Sequence, residues 1–103
     1  MLPAVTRISL DSVPTRYAII ARERGAADPT SSDVVAVEKL LEELEALNRD
    51  LEIPRLRDVG VEQEHFESVL VPMAEAALAS GSPDFNPRQP SMKEIVELYR
   101  EIY

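Results

Sequence analysis

Apolar residues recur at steps of three and four along most of the chain, and this spacing constrains the fold more than any other feature. The longest such run consists of Val34, Val37, Leu40, Leu41, Leu44, Leu47 and Leu51. These steps follow the 3.6-residue repeat of an α-helix, so the run predicts one long amphipathic helix. No segment alternates apolar and polar residues as a half-buried strand would. The expected fold class is therefore all-α, a bundle of five to six helices.

The first two helices have contrasting start signals. Residues 2–10 have no Ser, Thr, Asp or Asn ahead of them to act as a cap, and Pro3 stands in their first turn. The second helix should begin at residues 11–14, Asp-Ser-Val-Pro, with a cap followed by proline. Gly25 should end it, because glycine readily takes the left-handed conformation that closes helices. The expected apolar face of the first helix consists of Leu2, Val5 and Ile8, and the expected buried face of the second consists of Tyr17, Ile20 and Ala21.

Serine and proline mark the boundaries of the next helices. Ser31 and Ser32 are the expected caps of the long helix, and Pro54 should stop it. Residues 62–80 again have helical spacing, with Pro72 in their middle. A proline inside a helix costs about 3 kcal/mol, so this segment is expected to break into two helices.

The last helix has the clearest start signal in the chain. Ser91 and Glu94 have the Ser-x-x-Glu spacing of a capping box. The expected apolar face consists of Met92, Ile95, Val96, Tyr99 and Ile102. Since the chain contains no evident linker or repeat, residues 1–103 are expected to form a single helical domain.

Charge and composition exclude several classes of function. The net charge is −8, so the chain should repel a phosphate backbone, and nucleic acid is not an expected partner. The absence of cysteine excludes disulfides and thiolate metal sites. The sequence has no run of the roughly 20 apolar residues that a membrane span needs, and its start does not have the pattern of a signal peptide. A cytoplasmic protein is the expectation.

The chain offers few residues for catalysis. His65 is the one histidine, and it lies among glutamates on a segment expected to face solvent, so we expect a surface residue. A catalytic metal usually needs several ligands at fixed spacing, which this histidine does not have in sequence. The three glycines are isolated, so no glycine-rich phosphate loop is present. From the residues alone, we expect no catalytic residue, no metal site and no cofactor site within this chain.

Several motifs together resemble the C-terminal region of the iron-containing alcohol dehydrogenases, in the dehydroquinate-synthase-like superfamily. Near the end, Asn86-Pro87-Arg88 is followed by Pro90-Ser91 and the helix IVELYREIY, and AEAALAS precedes this turn. Two earlier matches are Leu-Glu-Ile-Pro at residues 51–54 and Leu-Arg-Asp-Val-Gly-Val at residues 56–61. The first 25 residues are similar to the family's LP segment and its YAxIARxxG motif. The resemblance spans essentially the whole chain, with the motifs in the family's order.

The resemblance implies a metal-dependent and NAD(P)-dependent oxidoreductase. Members have an N-terminal α/β domain that binds NAD(P) and a helical domain that binds Fe²⁺ or Zn²⁺ through an aspartate and histidines. The metal polarises the alcohol or carbonyl oxygen during hydride transfer. The family's last metal histidine lies upstream of the LP segment, and His65 does not match a ligand. We therefore expect a C-terminal portion without the nucleotide domain or the metal ligands, inactive by itself.

The resemblance also points to one segment near the substrate. In the family, the loop before Asn-Pro-Arg approaches the substrate cleft, so Ser82 and Phe85 are the candidates for lining that pocket. Asn86, Pro87 and Arg88 are expected to form a structural turn, with Arg88 donating hydrogen bonds that hold the final helix. A direct contact of Arg88 with substrate is the alternative.

Two kinds of partner follow from this expectation. The first is a chain that carries the NAD(P)-binding domain and the metal ligands, docked through the apolar face of the first helix. The second is another copy of this chain, if it is a stand-alone interaction domain that self-associates through an exposed apolar face.

Overall fold

A computed structural model describes all 103 residues of the chain. It contains five α-helices, two 3₁₀ helices and no β-strand, which confirms the predicted all-α class. The α-helices are α1 (Leu2–Ser9), α2 (Pro14–Glu23), α3 (Asp33–Asp50), α4 (Gln63–Ala79) and α5 (Met92–Ile102), and the 3₁₀ helices are Leu56–Val59 and Ser82–Phe85. The chain divides into two compact units, which we call unit 1 (Met1–Ile53) and unit 2 (Pro54–Tyr103).

Small side chains fill the core of unit 1, where α2 packs against α3. The buried cluster consists of Ala18, Ala21, Ala27, Ala36, Val37 and Leu40. Alanine at a helix contact allows the two axes to approach closely. The prediction that Ile20 belongs to the buried face of α2 is wrong, because Ala18 and Ala21 take that face and half of Ile20 is exposed. Tyr17 is partly buried at the edge of the cluster.

Helix α1 also buries its small residues. Ala4, Thr6 and Ser9 are buried, whereas Leu2 is exposed and Val5 and Ile8 are only partly buried. Of the predicted apolar face of α1, Leu2 is therefore open to solvent, and Val5 and Ile8 are partly covered. The hydroxyl of the buried Ser9 donates to the carbonyl of Val5 at 3.0 Å, so this polar group keeps a hydrogen bond within α1. At the surface, Arg7 of α1 forms an ion pair with Glu45 of α3 at 2.6 Å.

The start of α2 differs from the prediction. Val13 occupies the capping position and gives no side-chain hydrogen bond, so Asp11 and Ser12 are not the cap. The backbone N–H of Ser12 instead donates to Ser9 in a tight turn that directly follows α1. Gly25 ends α2 as predicted, with φ +80°, a conformation that costs glycine little.

Local contacts determine both ends of α3. Ser32 is the predicted cap, and its hydroxyl accepts from the backbone N–H of Val35 at 3.4 Å. In the loop before α3, two hydrogen bonds from Thr30 lower the pKa of Asp28. The larger effect comes from the backbone N–H of Thr30 and the smaller from its side chain. The helix ends at Asp50 and not at Pro54, because Glu52 takes a left-handed backbone with φ +53°.

In unit 2, α4 runs without interruption through Pro72. The predicted break into two helices is therefore wrong. Pro72 lies on the exposed side, while Phe66, Leu70 and Ala74 form one buried stripe along the same helix. Burial of this stripe against α5 favours a continuous helix and offsets the local cost of the proline.

Helix α5 begins at the predicted cap, since the hydroxyl of Ser91 accepts from the backbone N–H of Glu94 at 3.3 Å. Ile95 and Leu98 are its buried residues, and the prediction omitted Leu98. The other residues of the predicted face, Met92, Val96, Tyr99 and Ile102, are partly buried. The end of the chain is held by Tyr103, whose ring stacks on Phe66 with centroids 4.6 Å apart and whose hydroxyl donates to the carbonyl of Val61 at 2.6 Å.

Candidate substrate-facing turn

Residues 82–88 form a turn between α4 and α5, here called turn 82–88. Gly81 has φ +77°, which directs the chain out of α4 into the 3₁₀ helix Ser82–Phe85. Backbone hydrogen bonds join Asp84 to Gly81 and Asn86 to Pro83, both at 3.1 Å. The backbone is therefore fixed by its own hydrogen bonds, with the proline at position 83 further restricting it.

The two candidate pocket residues lie on the exposed side of this turn. The backbone N–H of Ser82 donates to the hydroxyl of Ser80 at 3.2 Å, and the side chain of Ser82 is exposed. Phe85 is 90% exposed, more than any other large apolar residue of the chain. A phenyl ring in this position contributes little to the packing of unit 2, so it is available to contact another molecule or segment.

The predicted structural residues connect the turn to α5. The side-chain amide of Asn86 donates to the carbonyl of Arg88, which closes the Asn-Pro-Arg segment on itself. The guanidinium of Arg88 lies 2.9 Å from a carboxylate oxygen of Glu94, in the first turn of α5. The other oxygen of Glu94 accepts from the hydroxyl of Ser91 at 3.2 Å. The carboxylate of Glu94 thus links turn 82–88 to the start of α5.

Sequence reasoning missed one residue of this arrangement, Gln89. Its side-chain amide donates to the carbonyl of Asp84 at 3.3 Å, across the width of the turn. Nothing in the sequence pointed to this contact, because a glutamine between an arginine and a proline has no characteristic role. The contact depends on the fold of the whole turn.

The residues of this chain do not form a donor set for a catalytic metal ion. No three His, Cys, Asp or Glu side chains come together in an arrangement that could hold one. His65 is exposed on α4, and the backbone carbonyl of the same residue accepts from the hydroxyl of Ser68 at 2.6 Å. The turn itself offers a hydroxyl and an aromatic ring, which suit hydrogen bonding and apolar contact with a small ligand.

No helix in the structure has both the length and the apolar character that a membrane crossing requires.

Fold and turn together define an all-helical module whose exposed aromatic turn directly precedes its last long helix. The chain belongs to the Fe-containing alcohol dehydrogenase family: the model of that family's C-terminal region matches residues 1–103. This confirms the resemblance drawn from the motifs.

Curated relatives and one solved structure agree with this assignment. The chain is 36% identical to a 1,3-propanediol dehydrogenase from Citrobacter freundii and 39% identical to a lactaldehyde reductase from Escherichia coli K12, in each case over 100% of this chain and 26% of the relative. An alcohol dehydrogenase from Thermococcus barophilus is 35% identical over 99% of this chain and 25% of its own length. The crystal structure of a 1,3-propanediol oxidoreductase superposes with a TM-score of 0.85 at 35% identity, over 99% of this chain and 26% of that one.

These matches cover nearly all of this chain but only part of each relative. This chain is matched along its whole length, and it spans about a quarter of the length of the relatives. The fold of the matched region is shared with the solved oxidoreductase, since both sequence and structure align over it.

Proposed function

We propose that this chain supplies the C-terminal helical portion of a metal- and NAD(P)-dependent alcohol dehydrogenase, and that it is inactive by itself. The observation that supports this most strongly is the family match over residues 1–103, together with the structural superposition. In this proposal the reaction is the interconversion of an alcohol and a carbonyl compound, with hydride passing to or from nicotinamide.

The metal ligands and the nucleotide site would lie on polypeptide outside these 103 residues. The chain's own side chains do not fit a catalytic Fe²⁺ or Zn²⁺, because one exposed histidine and dispersed carboxylates do not form a coordination shell. We therefore assign no step of the reaction to a metal held here. The contribution of this chain would be to shape and close part of the alcohol site.

Turn 82–88 is the part of the chain that we assign to the substrate. The exposed ring of Phe85 and the hydroxyl of Ser82 would line the alcohol pocket, the ring against carbon and the hydroxyl near oxygen. Arg88 would hold the turn in position through Glu94 and would not contact the substrate. We place the protein in the cytoplasm, with which a chain free of cysteine is compatible.

Metal analysis and a dehydrogenase assay on the purified chain test the proposal. The chain would be incubated with Fe²⁺ or Zn²⁺, desalted and assayed with NAD⁺ or NADP⁺ and a short primary alcohol. We expect no stoichiometric metal and no turnover. Tight binding of one metal ion per chain, or alcohol-dependent reduction of the nucleotide, would contradict the assignment of the chemistry to other polypeptide.

A second function is favoured by the exposed apolar side chains of unit 1. A stand-alone helical interaction domain could cover them by self-association, as a homodimer. Light scattering separates the two functions: a stable homodimer that binds no nucleotide domain supports the interaction domain, and a monomer supports the dehydrogenase portion.

A further inference from the structure

Turn 82–88 carries a negative charge beside its exposed ring. In its 3₁₀ helix, Pro83 is partly buried, whereas Ser82, Asp84 and Phe85 are exposed. A 3₁₀ helix has three residues per turn, so Ser82 and Phe85 lie on the same side and Asp84 lies a third of a turn away. Because Asp84 and Phe85 are consecutive, with Cα atoms about 3.8 Å apart, the carboxylate and the ring belong to one small surface.

The fold of the turn uses the backbone of Asp84 and leaves its side chain at the surface. The backbone N–H of Asp84 donates to the carbonyl of Gly81 at 3.1 Å, and its carbonyl accepts from the side-chain amide of Gln89 at 3.3 Å. The positive charge of the turn, on Arg88, lies 2.9 Å from the carboxylate of Glu94, which offsets it. Asp84 therefore makes the part of the turn that bears the ring negative.

A carboxylate beside an aromatic ring suits a cationic ligand. An ammonium group is attracted to the carboxylate by its charge and to the face of the ring by the ring quadrupole. The same carboxylate repels an anionic group of a ligand. Both effects are stronger in a pocket that excludes water, because charges interact more strongly where the effective dielectric constant is lower.

We propose that turn 82–88 favours amino alcohols, in which an ammonium group lies a few carbons from the hydroxyl, and disfavours alcohols that carry a carboxylate. This inference rests on the proposed function, since it requires the turn to line the alcohol pocket. Asp84 and Phe85 are specificity residues here and take no part in hydride transfer. The carbinol carbon gives a hydride to NAD(P)⁺, the hydroxyl proton is released, and the ammonium group is unchanged.

A chimera and three alcohols of similar length test this assignment. In the chimera, this chain replaces the aligned quarter of the Citrobacter freundii 1,3-propanediol dehydrogenase. The alcohols are 3-aminopropan-1-ol, 1,3-propanediol and 3-hydroxypropanoate, which differ at the end remote from the reacting hydroxyl. At about pH 7.5 they are cationic, neutral and anionic, because their amine and carboxyl groups resemble those of lysine and glutamate. The initial rate of nucleotide reduction gives kcat/KM for each.

Asp84→Asn removes the charge at nearly constant size. Relative to 1,3-propanediol, it should lower kcat/KM for 3-aminopropan-1-ol about tenfold and raise kcat/KM for 3-hydroxypropanoate. Asp84→Glu keeps the charge and should keep the preference for the amino alcohol. Phe85→Leu keeps an apolar side chain without a ring, and it should lower that preference about threefold.

Glu64→Gln is the matched control for the loss of one negative charge. Glu64 is an exposed carboxylate in the first turn of α4. It lies about 22 Å along the helix from Ala79 at the other end, well beyond the screening length of about 8 Å at physiological salt. This variant should leave the relative kcat/KM values unchanged.

Three results would overturn the proposal in a chimera that oxidises 1,3-propanediol. They are no turnover of 3-aminopropan-1-ol, unchanged relative kcat/KM values in Asp84→Asn, and an equal change in Glu64→Gln. A chimera that is folded and metal-loaded but does not oxidise 1,3-propanediol would instead contradict the proposed function and remove the pocket on which this inference depends.

Discussion

Phe85 connects the local structure of the turn to its proposed function, because its ring is exposed and its backbone is fixed. We expect Phe85→Ala to change the stability of the isolated chain by less than about 0.5 kcal/mol. The effect on substrate would be measured in the chimera, in which this chain replaces the aligned quarter of the Citrobacter freundii 1,3-propanediol dehydrogenase. In an active chimera, Phe85→Ala should raise KM for the alcohol roughly tenfold, through loss of about 1.4 kcal/mol of apolar contact.

The control for this prediction is Val59→Ala, which removes another strongly exposed apolar side chain of unit 2. It should alter neither stability nor KM. Urea unfolding and steady-state kinetics measure the two quantities. An unchanged KM in Phe85→Ala would remove the ring from the substrate pocket, and a large loss of stability would show that it has a packing role.

Tyr103 has a structural role that can be tested separately. Tyr103→Phe keeps the ring that stacks on Phe66 and removes the hydroxyl that donates to Val61. We expect a loss of about 0.5–1.5 kcal/mol in the free energy of unfolding, the usual contribution of one hydrogen bond. Tyr99→Phe is the matched control in α5, and it should lower the free energy of unfolding by less. Equal effects of the two changes in urea unfolding would contradict the role assigned to the hydroxyl.

At the scale of the helix, α4 is the element whose structure most clearly departs from its local preference. Pro72 cannot donate the backbone hydrogen bond of a helix interior, yet α4 is continuous around it. We expect Pro72→Ala to stabilise the chain by about 1–3 kcal/mol, because the proline lies on the exposed side and takes no part in the buried stripe.

Denaturant unfolding of Pro72→Ala measures this directly, with Val71→Ala as the control at the neighbouring exposed position. Val71→Ala should change stability little. A chain that is less stable with Pro72→Ala would indicate that the proline makes a packing contact that α4 needs.

Helix ends were predictable wherever one residue determines them. Ser32, Ser91 and Gly25 were recognised because capping is a local effect of a few backbone groups. The start of α2 and the end of α3 were not, since Val13 and Glu52 carry no such signal. These two ends depend on the packing of neighbouring segments.

The orientation of the short helices was less predictable than their existence. In α1 and α2 the smallest residues face the core, because close approach to α3 stabilises them more than burial of their larger side chains would. A periodic pattern in an eight-residue helix cannot indicate which neighbour it will contact. In α5, where the apolar face is wide, most of the face was predicted and Leu98 was omitted.

For the molecule as a whole, the sequence established the family through a set of motifs in order, and the comparisons confirmed it. Turn 82–88 was recognised by the same resemblance, and the structure adds its geometry: the exposed ring and the carboxylate that ties Arg88 to α5. Whether Ser82 and Phe85 contact substrate stays a prediction.

Turnover by the unmodified chimera tests the central claim most directly. With this chain in place of the aligned quarter of the propanediol dehydrogenase, we predict metal-dependent reduction of NAD(P)⁺ by an alcohol, while the chain alone produces none. A chimera that is folded and metal-loaded yet does not oxidise any alcohol accepted by its parent would contradict the account.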